Sequence, residues 1–172
     1  MSQRIFVNLG EVYFGQGEVQ VETLLGSCVA ITLWHPTLRL GGLCHFVLPV
    51  RPHRQPPPAP HAELDGRYGE DALLRLLQEV REHDTQVSDY VVKVFGGGRI
   101  LGLAGSRTPI GQANVDFALT MLRRQQIQIM AKDVAGEGYR YLRFDVHSGD
   151  VWVRHGHAGR QELEKLTARA QP

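Results

Sequence analysis

Hydrophobic positions along the chain fall mostly into short runs bounded by turn residues, with two longer stretches at helical spacing. Residues 17–25 read as extended, and C-V-A-I-T-L-W at 28–34 is a β-rich run that His35-Pro36 closes. After Gly41-Gly42 comes a short apolar strand, L-C-H-F-V-L-P at 43–49, ended by Pro49. Alternation along that strand sends Leu43, His45 and Val47 to one side and Cys44, Phe46 and Leu48 to the other. Leu73, Leu76, Leu77 and Val80 are spaced i, i+3, i+4, i+7, which predicts an amphipathic helix over 70–83 with Glu70 and Asp71 in its first turn.

Further on, Y-V-V-K-V-F at 90–95 predicts a strand running into Gly96-Gly97-Gly98. Val115, Ala118, Leu119 and Leu122 place a second helix at about 112–125, with Arg123 and Arg124 at its C-terminal end. A strand at 127–131 follows, then a hairpin of 139–146 with 150–153 turned through His147-Ser148-Gly149. The stretch Q-E-L-E-K-L-T-A-R-A at 161–170 has helix-forming composition. No internal repeat or heptad array is present. The order of elements predicts an α/β fold: a single-domain layered sandwich of mixed β-sheets with two to three helices, spanning 1–172. The proline-dense loop 51–61 is read as lying within it.

Composition adds bounds. With 172 residues, 42% hydrophobic and 22% charged, the chain is long enough to sustain a core without disulfides or metals. A net charge of +1 gives no overall field toward nucleic acid or anionic lipid, so no nucleic-acid partner is expected. The apolar runs fall far short of the ~20 residues needed to cross a bilayer, so the chain is not expected to be membrane-embedded. The start lacks a secretory-type apolar core, which makes a cytoplasmic location the default. Two cysteines, Cys28 and Cys44, suit a reducing compartment.

The sharpest chemistry is T-L-L-G-S-C at 23–28 followed by His45 in the next strand. A cysteine attacks as its thiolate, and an adjacent imidazole can take its proton and later protonate a leaving amine. Gly26 permits a tight turn before the thiol, and amides around Ser27 and Cys28 are candidate oxyanion donors. Thr23 is placed to orient the imidazole through its hydroxyl, and an imidazole neighbour is expected to depress the Cys28 pKa. The residues alone admit a second reading, in which Cys28 is a small buried hydrophobe and His45 a satisfied core histidine.

Resemblance bears on that choice. The strings T-L-L-G-S-C-V-A-I-T-L-W-H-P at 23–36 and G-G-L-C-H-F-V-L-P at 41–49 resemble the chemoreceptor glutamine deamidase family, CheD. So do K-V-F-G-G-G at 93–98, I-G-Q-A-N-V at 110–115 and R-F-D-V-H-S-G-D-V-W-V-R at 143–154, blocks that run in order through most of the chain. The resemblance implies a cysteine hydrolase fold with Cys28 as nucleophile, His45 as the catalytic histidine and Thr23 as the third residue. Some members carry one more residue between threonine and cysteine, and an ungapped match would put Glu22 at that third position. The implied activity is that of a protein-glutamine glutaminase. It hydrolyses glutamine side chains on the cytoplasmic part of methyl-accepting chemotaxis receptors to glutamate and ammonia, through a thioester, with no cofactor and no metal. The alternative that the resemblance allows is a binding partner and regulator of a CheC-type phosphatase, catalytic or not. A third is a transglutaminase-like use of the same thioester.

Other signals are weaker. Gly96-Gly97-Gly98 lacks a Walker lysine and a G-x-G-x-x-G frame, and reads as a tight structural turn near the site. His155-Gly-His157 has no accompanying zinc-binding frame, and His53 and His61 are scattered. Cys44 reads as packing, Asn114 and Asp116 as capping and first-turn residues, and Arg99, Arg107 and Arg124 as a solvated face.

Overall fold

The computed structural model describes residues 2–52, 63–100 and 109–157. Most of the proline-dense loop, the helix expected at 161–170, and His53, His61 and Arg107 lie outside the described residues. In chain order the elements are β1 (Gln3–Phe6), β2 (Val12–Gln16), β3 (Val19–Leu25), β4 (Val29–His35), β5 (Leu40–Phe46), α1 (Gly69–Glu82), β6 (Val91–Gly96), α2 (Ile110–Arg124), β7 (Ile129–Val134), β8 (Tyr139–Asp145) and β9 (Val151–Gly156). A 3-10 turn, Val87–Asp89, leads into β6.

The strands form two sheets, one in the order β1-β3-β8-β9 and one in the order β2-β5-β4-β6-β7. Pairing is antiparallel except for β1 with β3 and β6 with β7, so both sheets are mixed. One face of the five-stranded sheet packs on the four-stranded sheet and the other on the two helices. This is the layered α/β sandwich that the element order predicts.

Two cores follow from strand alternation. Val21, Leu25, Ala30, Leu43, Phe95, Leu142 and Phe144 fill the space between the sheets. Ile31, Leu33, Cys44, Phe46, Val92 and Val94 meet the stripe Leu73, Leu76, Leu77, Val80 of α1 and Val115, Ala118, Leu122 of α2. Each large apolar side chain so buried stabilises the fold by roughly 1.5–3 kcal/mol relative to exposure. Leu43 and Cys44 therefore fall in different cores, as the alternation requires.

Several boundaries differ from the sequence reading. The strand placed at 43–49 begins at Leu40 and ends at Phe46, with Gly41 and Gly42 inside it. A Cβ on Gly41 would meet the Phe144 ring at 2.8 Å and one on Gly42 the Phe14 ring at 2.6 Å, so these glycines admit aromatic side chains against the backbone and are not turn residues. The strand placed at 127–131 spans Ile129–Val134. The edge strands β1 and β2 were not anticipated, because they are short and only half-buried and carry little alternation. No helix among the described residues is long and apolar enough to cross a membrane.

Candidate active site

The site lies at one end of the sandwich, where β3 leaves the four-stranded sheet and β4 enters the five-stranded one. The crossing is made by Gly26, Ser27 and Cys28, with Cys28 immediately ahead of the first residue of β4. Ala30 on β4 pairs with His45 on β5, so Cys28, two residues before Ala30, is the diagonal neighbour of His45 on the same face. Both turn into the space between the sheets, and both are buried, with Cys28 8% exposed and His45 2%.

Thr23 reaches the same space from the other sheet. Its Oγ1 donates to the Val7 carbonyl at 2.7 Å and lies 2.7 Å from His45 Nδ1. A hydroxyl has one proton, and a carbonyl can only accept, so the oxygen is left to accept from Nδ1–H. That fixes the tautomer with Nε2 as the free acceptor. Nε2 is buried and, among the described residues, has no hydrogen-bond partner, the Cys28 sulfur included. Buried ring nitrogens are ordinarily paired, so an unpaired acceptor on the face shared with a thiol points to chemistry more than to packing.

Glu22, the ungapped alternative, faces the other way. It accepts from Arg143 Nε at 2.9 Å on the outer face of its sheet and does not approach His45. The structure thus brings Cys28, His45 and Thr23 to one place and leaves Glu22 out of it.

Electrostatics corrects one expectation. Burial pushes the Cys28 thiol up to about 12, its own backbone N–H opposing only in part, so the thiol is not depressed. Burial likewise drives His45 down to about 4, against a smaller opposing effect of the Val7 carbonyl and Glu11. Both desolvation effects favour the uncharged forms, so the resting pair is a thiol beside a neutral imidazole.

This sets a pH window for stability. His45 ordinarily titrates near 6.5 and here near 4, so the unfolded chain binds more protons between those values and stability falls as pH drops through that range. Cys28 and Cys44 ordinarily titrate near 9 and here near 12, so the unfolded chain loses protons first and stability falls as pH rises above 9. Denaturant midpoints are expected to be flattest between about 6.5 and 9. A His45→Gln variant should lose part of the acid-side slope, and an unchanged slope in that variant would contradict the assignment.

The glycine run that ends β6 clamps the crossing, in keeping with a tight turn near the site. Gly97 N–H donates to the Cys28 carbonyl at 2.7 Å and Gly98 N–H to the Gly26 carbonyl at 2.8 Å. Gly96 has φ +108°, and a Cβ there would collide with the Cys28 carbonyl oxygen, so only glycine lets the two backbones approach.

Asn114 was read as a capping or first-turn residue, but Pro109 occupies the N-cap and Asn114 sits fully buried inside α2. Its Nδ2 donates to the Ser27 carbonyl at 3.0 Å and the Val47 carbonyl at 2.8 Å. The visible signal was an amide at i+4 from Ile110 on the apolar side of the helix, next to Val115 and Ala118. Asp116 instead accepts from Gln112 on the helix surface. Arg99 pairs with Glu137 at 2.6 Å, and His155 lies 2.8 Å from Asp133, away from the site.

A family model described as CheD chemotactic sensory transduction matches residues 48–155, well over half of the chain. The chain belongs to the CheD family. A protein of Dechloromonas aromatica (strain RCB), named probable chemoreceptor glutamine deamidase CheD 3, is 45% identical over 150 residues, 87% of this chain and 85% of that one. The probable chemoreceptor glutamine deamidase CheD of Pseudomonas syringae pv. tomato is 43% identical over 85% of each chain. That of Pseudomonas fluorescens (strain SBW25) is 42% identical over 85% of this chain and 81% of its own. A match spanning 87% of a chain this long runs through Cys28 and His45, whereas the family model begins at residue 48, beyond both.

Proposed function

We propose that this CheD-family chain deamidates glutamine side chains on chemoreceptors, with Cys28 as nucleophile, His45 as base and acid, and Thr23 holding the imidazole. The observation that carries the reading is the bond from His45 Nδ1 to a hydroxyl already committed to Val7, which leaves Nε2 as an unpaired acceptor on the face of Cys28. The names of its relatives support the substrate class.

In the first half-reaction His45 Nε2 takes the thiol proton as the Cys28 sulfur attacks the carboxamide carbon. The carbonyl π electrons move to oxygen, and the amides of the crossing stabilise that oxyanion. Collapse breaks the carbon–nitrogen bond, and the imidazolium returns the proton to departing ammonia. The second half repeats the steps with water: His45 takes a proton from it, hydroxide adds to the thioester, and the sulfur leaves and recovers its proton. Glutamine plus water becomes glutamate plus ammonia, and the thiol and the neutral imidazole are restored. The neutral resting pair suits a base that acts as the bond forms and does not wait as an ion pair.

The test incubates the purified chain with a receptor cytoplasmic fragment and follows ammonia release together with glutamine-to-glutamate mass changes in receptor peptides. Conversion at specific glutamines is expected. Absence of both under conditions where a relative is active would overturn the reading in favour of a non-catalytic partner of a CheC-type phosphatase.

Thr23→Val removes the hydroxyl while keeping shape. It should lower kcat by about 10²-fold by freeing the ring, with KM little changed, and Thr23→Ser should restore most of the rate. Equal loss in the serine variant would mean that Thr23 acts only through packing.

A further inference from the structure

Three consecutive carbonyls of the crossing are each tied down from outside it. The Gly26 carbonyl accepts from Gly98 N–H, the Ser27 carbonyl from Asn114 Nδ2, and the Cys28 carbonyl from Gly97 N–H. Only the middle tie comes from a side chain, and only that side chain also grips the strand exit beside His45, through the Val47 carbonyl. Both donor hydrogens of its amide group are used, and the residue is completely buried.

The peptide plane gives this tie a directional consequence. In a trans peptide the carbonyl and the following N–H point opposite ways, so drawing the Ser27 carbonyl toward α2 turns the Cys28 N–H away from the helix. That N–H lies against the Cys28 sulfur, where it favours the thiolate. An amide close to the sulfur is a candidate donor to the oxyanion formed as the sulfur attacks.

We propose that Asn114 is a positioning residue for the reaction: from within α2 it aims the Cys28 amide at the oxyanion position and fixes the spacing of the Cys28 turn to the His45 strand. The inference rests on the functional reading above and adds to it a residue outside the three on the strands. It also makes α2, whose first residue Ile110 is half exposed, part of the catalytic geometry.

The test uses two variants of the full chain, Asn114→Leu and Asn114→Asp. The leucine variant removes both donors. It should lose about 10²-fold in kcat on the receptor fragment with KM changed less than about threefold, the size of one lost oxyanion donor. The aspartate variant should be as slow at neutral pH and recover partly on acidification, because a protonated carboxyl can donate to one of the two carbonyls, whereas the leucine variant should show no such recovery.

A readout independent of substrate is amide hydrogen exchange. In the leucine variant, exchange should quicken at least tenfold at residues 27–29 and 47–48 while the amides of β8 and α1 keep their protection. Wild-type kcat in Asn114→Leu, or acceleration spread evenly over the whole chain, would overturn the proposal, as would loss of the cooperative melt in both variants. If the wild-type chain releases no ammonia, the functional reading fails and the exchange pattern alone decides whether Asn114 holds the turn.

Discussion

Replacing Cys28 by alanine is expected to lower ammonia release from a receptor fragment at least about 10⁴-fold, to the level of the uncatalysed background, because no other group in the site can form the thioester. The fold should survive. Cys28 occupies the edge of the core between the sheets, and removing one sulfur there costs on the order of 1–2 kcal/mol, well inside the stability of an ordinary domain. A melting curve close to that of the wild type, with turnover gone, is the expected pair of observations. Cys44→Ala is the control. Cys44 is fully buried in the other core, facing the helices, so that variant should keep its activity while losing a comparable amount of stability. Turnover retained in Cys28→Ala, or abolished in a folded Cys44→Ala, would remove the sulfur from the mechanism.

Much of this geometry was legible in the sequence, for reasons that can be named. Period-two alternation is a property of any strand, so the separation of His45 from Cys44 is legible in the sequence, and the two residues do occupy different sides of β5. The leucine spacing of α1 is likewise local, and the observed helix differs from the predicted one by a single residue at each end. The hydroxyl of Thr23 is a visible partner for the imidazole and resemblance adds to that reading, but alternation within single strands cannot place the contact, because the two residues belong to different sheets. Only the packing of those sheets decides that Thr23 and not Glu22 meets the ring.

What stayed hidden depends on contacts distant in sequence. Gly41 and Gly42 look like a turn in isolation, yet they lie inside β5 because Phe144 and Phe14, from two other strands, occupy the space that side chains there would need. Asn114 looks like a helix-start residue because asparagine favours caps, but the carbonyls it serves are those of Ser27 and Val47, 87 and 67 positions away. The ionisation of the thiol is hidden from the sequence for the same reason. A histidine neighbour alone would lower its pKa, whereas enclosure between two sheets, which no local pattern reveals, raises it to about 12.

Replacing His45 by alanine is expected to cost between about 10² and 10⁴ in kcat/KM, the range general acid–base catalysis contributes, and the un-ionised state of the thiol is the reason to expect the upper end. The thiol does not ionise by itself at neutral pH, since burial holds it near 12, so attack depends on a base that removes the proton as the carbon–sulfur bond forms. His45 meets that requirement over an unusually wide range, because with a value near 4 its imidazole stays neutral far below the pH at which an ordinary histidine becomes charged. In the wild-type chain kcat/KM should therefore remain flat from about 5 to about 9, with its acid limb well below 6.5. In His45→Ala the residual rate should instead climb with pH, as the small fraction of free thiolate becomes the only nucleophile. Iodoacetamide should reveal the same chemistry without substrate: Cys28 in the wild-type chain is expected to react at pH 7 more slowly than an exposed cysteine and to accelerate continuously toward pH 9. A profile peaked between two ionisations near 6.5 and 9, or rapid alkylation at pH 7, would mean that sulfur and imidazole rest as an ion pair, and the sequence of proton transfers would then have to start from the thiolate.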